Sequence, residues 1–553
     1  MQRLSRISIW TYATLIALSV LIFAILYPLS SLFTASVTSP NEGGFSLEGY
    51  RTFFATPDLV DALINTLLLG AITTIGALIL GIGTAFAVAR FDFPLKSLIG
   101  LLPLATLVLP DVIVVQSWLM VFGNNGIVTN FIWDVFDINT PRFYGWTGLI
   151  FVMIIQHYAF AYLMVIAAFK SIDSSLEQAA QNLGSSPLRS YMTVTIPVLA
   201  PAVLVTAMVV FSMSVDNFGI PAIIAPRVPI LSVTAYNTFV SELGSDPLMQ
   251  STMSVMLVLI AASVLLLQKV YVEHRVYQME SGRAPQPVKL PLAKGRMVSG
   301  GLLCFVLVSL LPIIIVTVAA FTHSKGPVLH WGTFSVENLR RAIIFTPEAL
   351  YNSLILSSIA TLVGTVFSVI ASYVLVKKRS ALTIILDFAA VLPLVVAGTV
   401  LGIALVAAYN TGPFAMTGTW FIMAMAYFVR RVPYGIRTMS GSVHAIRDNI
   451  EEASINLGVA PLRSFFQVVL PIMTPAIISG AIFMWVTTLS ELSATIVLYS
   501  AGLSTMPIQI FQQLNGGYFG PASAYSAILI VSIFLPLTIV MRVFKIDLFG
   551  TCQ

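Results

Sequence analysis

Residues 174–184 of the chain read SSLEQAAQNLG, and residues 448–458 read DNIEEASINLG, so the second stretch follows the first at an offset of 274 residues. The same offset pairs PLRS at 187–190 with PLRS at 461–464. An ungapped match of this length, in which the acidic, small and glycine positions coincide, indicates an internal duplication. The chain is therefore expected to be built from two related halves.

Further from these stretches the register drifts, but the order of the matching features is kept. Asn65 lies in ALINTL and Asn352 in ALYNSL, and the dipeptide Leu-Pro recurs at 109–110 and 392–393. The duplication therefore covers most of the chain and is not confined to one loop.

The composition places this duplicated chain in a membrane. Of its 553 residues, 58% are hydrophobic and only 9% are charged, and the mean hydropathy is +0.94. Soluble globular domains carry about 25% charged residues, so this chain lacks the charge to cover a water-facing surface. Two cysteines are too few for a disulfide scaffold. We expect an all-α integral membrane protein whose net charge of +5 reflects loop lysines and arginines, with no nucleic-acid partner.

Twelve apolar runs are candidates for membrane-spanning helices, each of which needs about 20 residues. They lie at residues 8–34, 61–89, 98–121, 146–169, 196–226, 251–268, 298–322, 349–376, 381–409, 419–429, 471–499 and 521–541. The tenth is short, so its helix must continue past Arg430 and Arg431 with those side chains facing protein or reaching the interface. The first run is longer than the core of a signal peptide and is interpreted as a retained anchor.

The lysines and arginines predict the orientation of these spans. If the first span starts in the cytoplasm, more than three quarters of the 28 basic side chains lie on the cytoplasmic side. The opposite orientation would invert the positive-inside bias. Both termini are therefore predicted to be cytoplasmic.

Six spans in each copy give both copies the same orientation, so the repeats are parallel and related by an axis along the membrane normal. We assign residues 1–268 to the first six-span domain, 269–297 to a basic cytoplasmic linker and 298–553 to the second six-span domain. The repeated loops span 170–197 and 444–471, between the fourth and fifth spans of each copy. A pathway is expected at the interface between the two halves.

Each repeated loop carries the signals of two short helices around a turn. Ser174 and Asp448 are residue types that cap helix N-termini, and each has a glutamate three residues later, which is the capping-box spacing. Gly184 and Gly458 follow at the position where a helix often ends on a residue with positive φ.

The loop pattern is E-A-A, then three residues, G, nine residues and I-x-L-P, and it resembles the cytoplasmic signature of permease subunits of binding-protein-dependent ABC importers. The first copy departs from it at Gln178 and the second at Ser454. The resemblance implies the type I ABC importer permease fold, with 12 transmembrane helices as two parallel six-helix repeats fused into a pseudo-dimer. It also implies that each loop docks as a coupling helix on an ATPase subunit. The residues expected to carry this coupling are Glu177, Gln178, Ala179, Ala180, Gly184, Glu451, Glu452, Ala453, Ser454 and Gly458.

The same resemblance implies the partners and the location. We expect two copies of an ABC ATPase subunit, membrane lipid, and a periplasmic substrate-binding protein that meets the outer loops 35–60, 122–145 and 227–250 and their counterparts. The location is the bacterial inner membrane. The fusion of two domains and the segments 216–219 and 489–495 resemble ferric-iron importer permeases, so ferric iron is the expected solute. Thiamine, 2-aminoethylphosphonate, polyamines and sulfate remain alternatives.

The chain itself carries no motif for ATP hydrolysis. The dipeptide Gly-Lys does not occur, so the phosphate-binding loop of P-loop NTPases cannot form. The chain is therefore expected to be a translocation subunit and not an enzyme, with ATP and Mg bound by the partner ATPases and no cofactor or metal of its own. His157, in the fourth span, is interpreted as a buried, hydrogen-bonded histidine and not a metal ligand.

Polar side chains inside the spans are candidates for the translocation pathway or its gate, because they are costly in lipid. They are Asp111, Gln116, Asp216, Asn217, Ser490 and Glu491. Counting about 20 residues at 1.5 Å each from Pro197 places Asp216 near the outer face. For Asp216, Asn217, Ser490 and Glu491, a role at the interface with lipid headgroups or in helix packing stays equally open. Asn65 and Asn352 are interpreted as interhelical hydrogen-bonding groups.

Two rival classes remain. A secondary transporter driven by protons or sodium explains the parallel halves but not the matched loops, and it would need Asp111, Asp216 or Glu491 as proton carriers. A channel or structural membrane protein would need neither a binding protein nor ATP.

Overall fold

The computed structural model describes residues 9–39, 44–172, 174–241, 246–274, 287–325 and 328–544. The α-helices of the first half are α1 (Ile9–Leu21), α2 (Tyr27–Ser36), α3 (Glu48–Ala55), α4 (Pro57–Arg90), α5 (Lys96–Val108), α6 (Asp111–Phe122), α7 (Ile127–Phe136), α8 (Trp146–Ser171), α9 (Ser174–Asn182), α10 (Pro187–Ser190), α11 (Ile196–Asp216), α12 (Gly219–Ile224), α13 (Leu231–Phe239) and α14 (Pro247–His274). Those of the second half are α15 (Leu292–Ala320), α16 (Glu337–Phe345), α17 (Pro347–Lys377), α18 (Ala381–Val391), α19 (Gly398–Tyr409), α20 (Trp420–Ala445), α21 (Asp448–Asn456), α22 (Pro461–Ser464), α23 (Leu470–Leu489), α24 (Thr495–Leu498), α25 (Met506–Asn515) and α26 (Phe519–Phe544).

The strands are short and lie at the ends of the helices. β1 (Phe91–Asp92) pairs in parallel with β2 (Val288–Lys289), and β3 (Thr322–Lys325) pairs antiparallel with β4 (Val328–Phe334). They leave the all-α membrane architecture unchanged.

Among the described residues, ten helical segments are long and apolar enough to cross a membrane, or eleven if a bent pair counts as one span. This confirms the all-α membrane fold, while the number twelve remains a prediction. The third predicted span is divided at Leu109 and Pro110 into α5 and α6, because Leu109 has an extended backbone with ψ of 130°, the conformation favoured for the residue before a proline. The ninth is bent by 113° between Ala381–Leu394 and Gly398–Tyr409.

The tenth predicted span is the 26-residue helix α20. It continues through Arg430 and Arg431 as its short apolar stretch required, and its arginines explain why it is not among the most apolar helices. The helix of the matching span, α8, has its two ends at the same offset of 274 residues.

The duplicated loops are followed by the same irregularity in both halves. A turn of π-helix covers Tyr191–Thr195 in the first half and Phe465–Val469 in the second. Each leads into a helix with proline at its second position, Pro197 or Pro471. Since a proline nitrogen has no hydrogen to donate, the preceding turn loses one helical bond and widens locally.

The two halves interlock through their first spans. α1 packs on α17 and α18, and α2 packs on α19, all of which belong to the second half. In the same way α15 packs on α5 and α6 of the first half, where the hydroxyl of Ser117 donates to the carbonyl of Pro312 at 2.9 Å. The largest buried hydrophobic cluster accordingly contains residues of both halves.

The predicted linker 269–297 is described only in part. α14 continues to His274 and α15 begins at Leu292, whereas residues 275–286 lie outside the described residues. Both predicted cytoplasmic termini also fall there, at 1–8 and 545–553.

Candidate functional site: two matched loops and a charged interface

Each repeated loop folds as a short helix, a glycine turn and a second short helix. Two residues after the last residue of α9 and of α21 stands a glycine with positive φ, +90° at Gly184 and +88° at Gly458. The turn is closed by backbone bonds from Ser185 to the carbonyl of Ala180 at 3.1 Å and from Val459 to that of Ser454 at 3.2 Å. This is the helix ending expected from the sequence, in which glycine accepts a backbone conformation that side chains disfavour.

The tip of each loop presents an apolar side chain to the outside. Leu183 is 88% exposed and Leu457, its match at the offset of 274, is 86% exposed. The predicted coupling residues Gln178, Ala179, Glu452 and Ala453 are also exposed, and Ala180 and Ser454 are partly buried. Each exposed leucine follows two small residues by three and four positions, Ala179 and Ala180 or Ala453 and Ser454, and gives its loop a compact apolar knob.

Glu177 points into the protein and not towards the end of its own helix. Its carboxylate accepts from both terminal nitrogens of Arg90, one at 3.0 Å, and from the hydroxyl of Thr195 at 2.6 Å. Arg90 is the last residue of α4, and its guanidinium also lies over the rings of Phe169 and Tyr191. The first loop is thereby fastened to the second span.

Glu451 is buried at the matching position but has a neutral partner, the hydroxyl of Tyr373 in α17. The capping box expected at Asp448 does not form, because Arg447 is the N-cap and makes no side-chain cap. Asp448 instead accepts from Lys377, and this ammonium group lowers the pKa of the Asp448 carboxyl. A charged partner holds a carboxylate more strongly than a neutral helix end.

The two anchors are variants of one arrangement, related by offsets that the sequence contains. The offset of 287 that pairs Asn65 with Asn352 also pairs Arg90 with Lys377. It pairs Phe86 with Tyr373 as well. The ring of Phe86 packs edge-on against Tyr191 in the first half, as Tyr373 packs against Phe465 in the second.

A second group of charged side chains meets at the interface between the halves. Arg430 donates to Glu491 at 3.1 Å, and Arg431 donates to the same carboxylate. Asp216, from the first half, accepts from Arg430 at 3.3 Å and from the backbone N–H of Gly398 at 2.9 Å. Two of the sequence candidates for the pathway, Asp216 and Glu491, are thus gathered around Arg430 and Arg431.

Asp111 is held within the first half by a separate contact. The amide of Asn217 donates to its carboxylate at 2.7 Å, and the Asn217 side-chain oxygen accepts from the backbone of Ile220 at 3.0 Å. Gly219 lies between Asp111 and Leu492, the residue after Glu491. A Cβ at Gly219 would lie 3.2 Å from Leu492 and 3.7 Å from Asp111.

Asp216 is the last residue of α11, so it lies at the end of the helix that the count from Pro197 follows. Arg430, which it contacts, lies ten residues after Trp420, the first residue of α20. The position of Asp216 relative to the outer face of the membrane stays a prediction.

Two of the predicted pathway residues lie apart from the cluster. Gln116 is buried, donates to Ser523 at 2.7 Å and accepts from Ser526 at 2.7 Å, so it joins α6 to α26. The hydroxyl of Ser490 donates to Val486 in its own helix at 3.1 Å. These contacts support a helix-packing role for Gln116, whereas Ser490 contacts only its own helix.

The remaining polar candidates have structural partners. Asn65 donates to the carbonyl of Pro229 at 3.1 Å, and Asn352 donates to those of Gly502 and Ser504, both at 2.9 Å. His157 is buried and bonds to the carbonyl of Met153 at 2.8 Å. Within the described ranges no three histidine, cysteine or acidic side chains are grouped so as to hold a metal ion.

Comparison with known protein families identifies the family of this chain. The family of binding-protein-dependent transport system inner membrane components matches residues 77–276 and 360–546, one match in each half and well over half of the chain. The chain belongs to this family. It is a multi-pass permease of the bacterial inner membrane, as the matched loops predicted.

Two relatives align with nearly the whole of this chain, and a third aligns with half of it. The chain is 23% identical over 533 residues to a ferric transport system permease protein, FbpB, of Actinobacillus pleuropneumoniae, covering 94% of this chain and 76% of the relative. It is 25% identical over 537 residues to an Fe(3+)-transport system permease protein, FbpB 2, of Haemophilus influenzae, covering 95% and 98%. A putative 2-aminoethylphosphonate transport system permease protein, PhnU, of Salmonella typhi matches 50% of this chain and 94% of its own length at 25% identity.

Proposed function

We propose that the chain is the membrane subunit of an ATP-driven importer in which each repeated loop binds one ATPase subunit. The observation that carries this proposal is the pair of exposed leucine knobs, Leu183 and Leu457, on loops of matching fold. An exposed leucine outside the membrane gains free energy only when another surface covers it. Two equivalent loops accordingly call for two copies of the ATPase.

The anchors beneath the knobs supply a route from the ATPases to the spans. Glu177 is tied to Arg90 at the end of α4, and Glu451 is tied to Tyr373 in α17. A loop displaced by an ATPase would pull on these helices, because breaking the buried ion pair of the first loop or the buried hydrogen bond of the second is costly. ATP-driven approach of the two ATPases would then rock the halves from inward-facing to outward-facing.

The opposite face has features suited to a periplasmic binding protein. A cavity of about 1140 Å³ is lined by residues of the loop 122–145 and by Arg227, and Trp133, Arg142 and Tyr144 are among them. α7 lies in this loop, whereas only ten residues separate α19 from α20 at the matching place. This difference would let a binding protein dock in one orientation on a pseudo-symmetric permease.

The solute that the relatives favour is ferric iron. The ferric permeases match nearly the whole chain, whereas the 2-aminoethylphosphonate permease matches half of it. The domains 1–268 and 298–553, the linker 269–297 and cytoplasmic termini belong to the same proposal. Membrane lipid surrounds the spans, and ATP and Mg would be bound by the ATPases, with no cofactor in this chain.

The test uses a strain that lacks the chain and is complemented with it. We expect complementation to restore uptake of ⁵⁵Fe(III), and vanadate, which inhibits ABC ATPases, to abolish that uptake. Restored growth on 2-aminoethylphosphonate as phosphorus source, without iron uptake, would show that the solute is 2-aminoethylphosphonate. The chain would still be the membrane subunit of an importer. Vanadate-insensitive uptake that a protonophore abolishes would instead support the secondary transporter.

A further inference from the structure

The carboxylate of Asp216 crosses the interface between the two halves. Asp216 is the last residue of α11, in the first half. One of its oxygens accepts the backbone N–H of Gly398, and the other accepts a terminal nitrogen of Arg430. Gly398 is the first residue of α19, so Asp216 lies on the amino end of a twelve-residue helix of the second half.

Without Asp216 the second half would carry unbalanced positive charge at this place. Arg430 and Arg431 bind the single carboxylate of Glu491. The amino end of α19 adds the partial positive charge of a helix terminus. Among the described residues, the Nε of Arg431 and the hydroxyl of Thr399, beside Gly398, are buried without hydrogen-bond partners.

The first half does not repeat this positive site. At the offset of 274, Gln156 and His157 stand where the second half has Arg430 and Arg431. Ser490 stands where the first half has Asp216, and its hydroxyl bonds to its own helix. The positive site therefore belongs to the second half, and its occupant comes from the first.

The two carboxylates of the cluster differ in how firmly they are enclosed. The side chain of Glu491 is 3% exposed, whereas that of Asp216 is 34% exposed. Glu491 also accepts from the backbone of Ala494 in its own half at 3.2 Å. Glu491 is fixed within the second half, while Asp216 is accessible and leaves the site if the halves separate.

We infer that Arg430 and the amino end of α19 form an anion-binding site on the interface, occupied by the Asp216 carboxylate in this conformation. When the halves move apart, the site becomes free for a carboxylate or phosphonate group of the solute or of its chelator. A guanidinium and a helix amino end are groups that bind such anions in proteins. The movement of the halves rests on the proposed function, but the site itself does not.

The site is tested with the full chain in lipid nanodiscs by emptying it and refilling it with formate. Asp216→Ala leaves Arg430 and Arg431 sharing the single carboxylate of Glu491 beside a carboxylate-sized void, so the melting temperature of this variant should fall below that of the original chain. Sodium formate should restore at least half of this loss, whereas gluconate at equal ionic strength should not, because its anion is too large. Asp111→Ala is the matched control, since Asp111 is bound by an amide and not by an arginine.

Asp216→Ser provides a second variant should Asp216→Ala fail to fold, because serine occupies the matching position 490 of the second half. Formate should stabilise it in the same way. An equal formate response in the original chain, Asp111→Ala and the Asp216 variants, or no response in the latter, would overturn the anion site. Because no ATPase is present, this outcome would leave the proposed importer function untouched.

Discussion

Glu177 and Glu451 occupy matching positions in the two loops and yet have partners of different charge. Glu177 shares a buried ion pair with Arg90, and Glu451 binds the neutral hydroxyl of Tyr373. Removing one member of a buried ion pair leaves an unpaired charge, which costs about 3–5 kcal/mol. Replacing Glu451 leaves only the neutral hydroxyl of Tyr373 and no unpaired charge, so it costs less, and the two loops should respond differently to the same substitution.

We expect Glu177→Gln to destabilise the chain by about 3 kcal/mol and Glu451→Gln by about 1 kcal/mol. Unfolding in detergent by guanidinium chloride measures both values. Glu452→Gln is the control, because Glu452 is exposed and should change stability little. Equal losses for Glu177→Gln and Glu451→Gln would show that the Arg90 charge is compensated elsewhere.

At this scale the sequence predicted which residues matter better than it predicted their contacts. The capping-box spacing predicts that Glu177 and Asp448 bind the amino ends of their own helices. Glu177 instead binds Arg90 on α4, and Asp448 binds Lys377 on α17. For Arg430 and Arg431, the sequence predicts only that the tenth helix continues past them. The offset of 274 aligns these two arginines with Gln156 and His157. The alignment therefore shows that one half has two arginines at positions where the other half has none.

The helical elements of the loops depend on one glycine each. At Gly184 and Gly458 a Cβ would meet nothing within 4 Å, so the restriction on other residues comes from the positive φ alone. A non-glycine residue in this conformation costs about 1–2 kcal/mol, and a β-branched residue is disfavoured further. The turn that presents the leucine knob should therefore be lost before the spans are affected.

We expect Gly184→Val and Gly458→Val each to abolish solute uptake while the chain still folds and inserts. Uptake by cells expressing each variant is the measurement. Gly441→Val is the control, because Gly441 also has open space around a Cβ but has an ordinary helical φ. Unchanged uptake in both loop variants would remove the loops from the coupling mechanism.

At the scale of the whole molecule the halves exchange their first spans, and this was not foreseen. Hydropathy locates spans but carries no information on which helices they contact, because lipid and protein interiors are both apolar. The exchange brings Trp10 of α1 against Tyr373 and Phe465, with ring centroids 4.4 and 5.3 Å apart. The first span of one half thereby supports the base of the other half's loop.

We expect Trp10→Ala to destabilise the chain by about 3–5 kcal/mol, the range for deleting a large buried aromatic side chain. Thermal unfolding in nanodiscs measures the change. Tyr12→Ala, two residues away on the same helix and exposed, should have a much smaller effect. Similar effects of the two substitutions would argue against the packing of α1 on the second half.

The parallel duplication, the membrane fold and the permease family were all predictable, because each is encoded locally or by a repeated pattern. The interface cluster and the interlocking spans depend on contacts more than a hundred residues apart, such as those of Asp216 with Gly398 and Arg430. Such contacts follow from the assembled helices and not from any one stretch of sequence.

The central claim is that the two loops bind two ATPase subunits through Leu183 and Leu457. It is tested most directly by the mass of the complex that co-purifies with the chain, measured by native mass spectrometry. We expect two ATPase subunits per chain, weakened binding with Leu183→Asp or Leu457→Asp alone, and none with both substitutions together. Leu292→Asp, at another exposed leucine on the same side, should leave two subunits bound. Two ATPase subunits retained by the double variant, or none on the original chain, would contradict the claim.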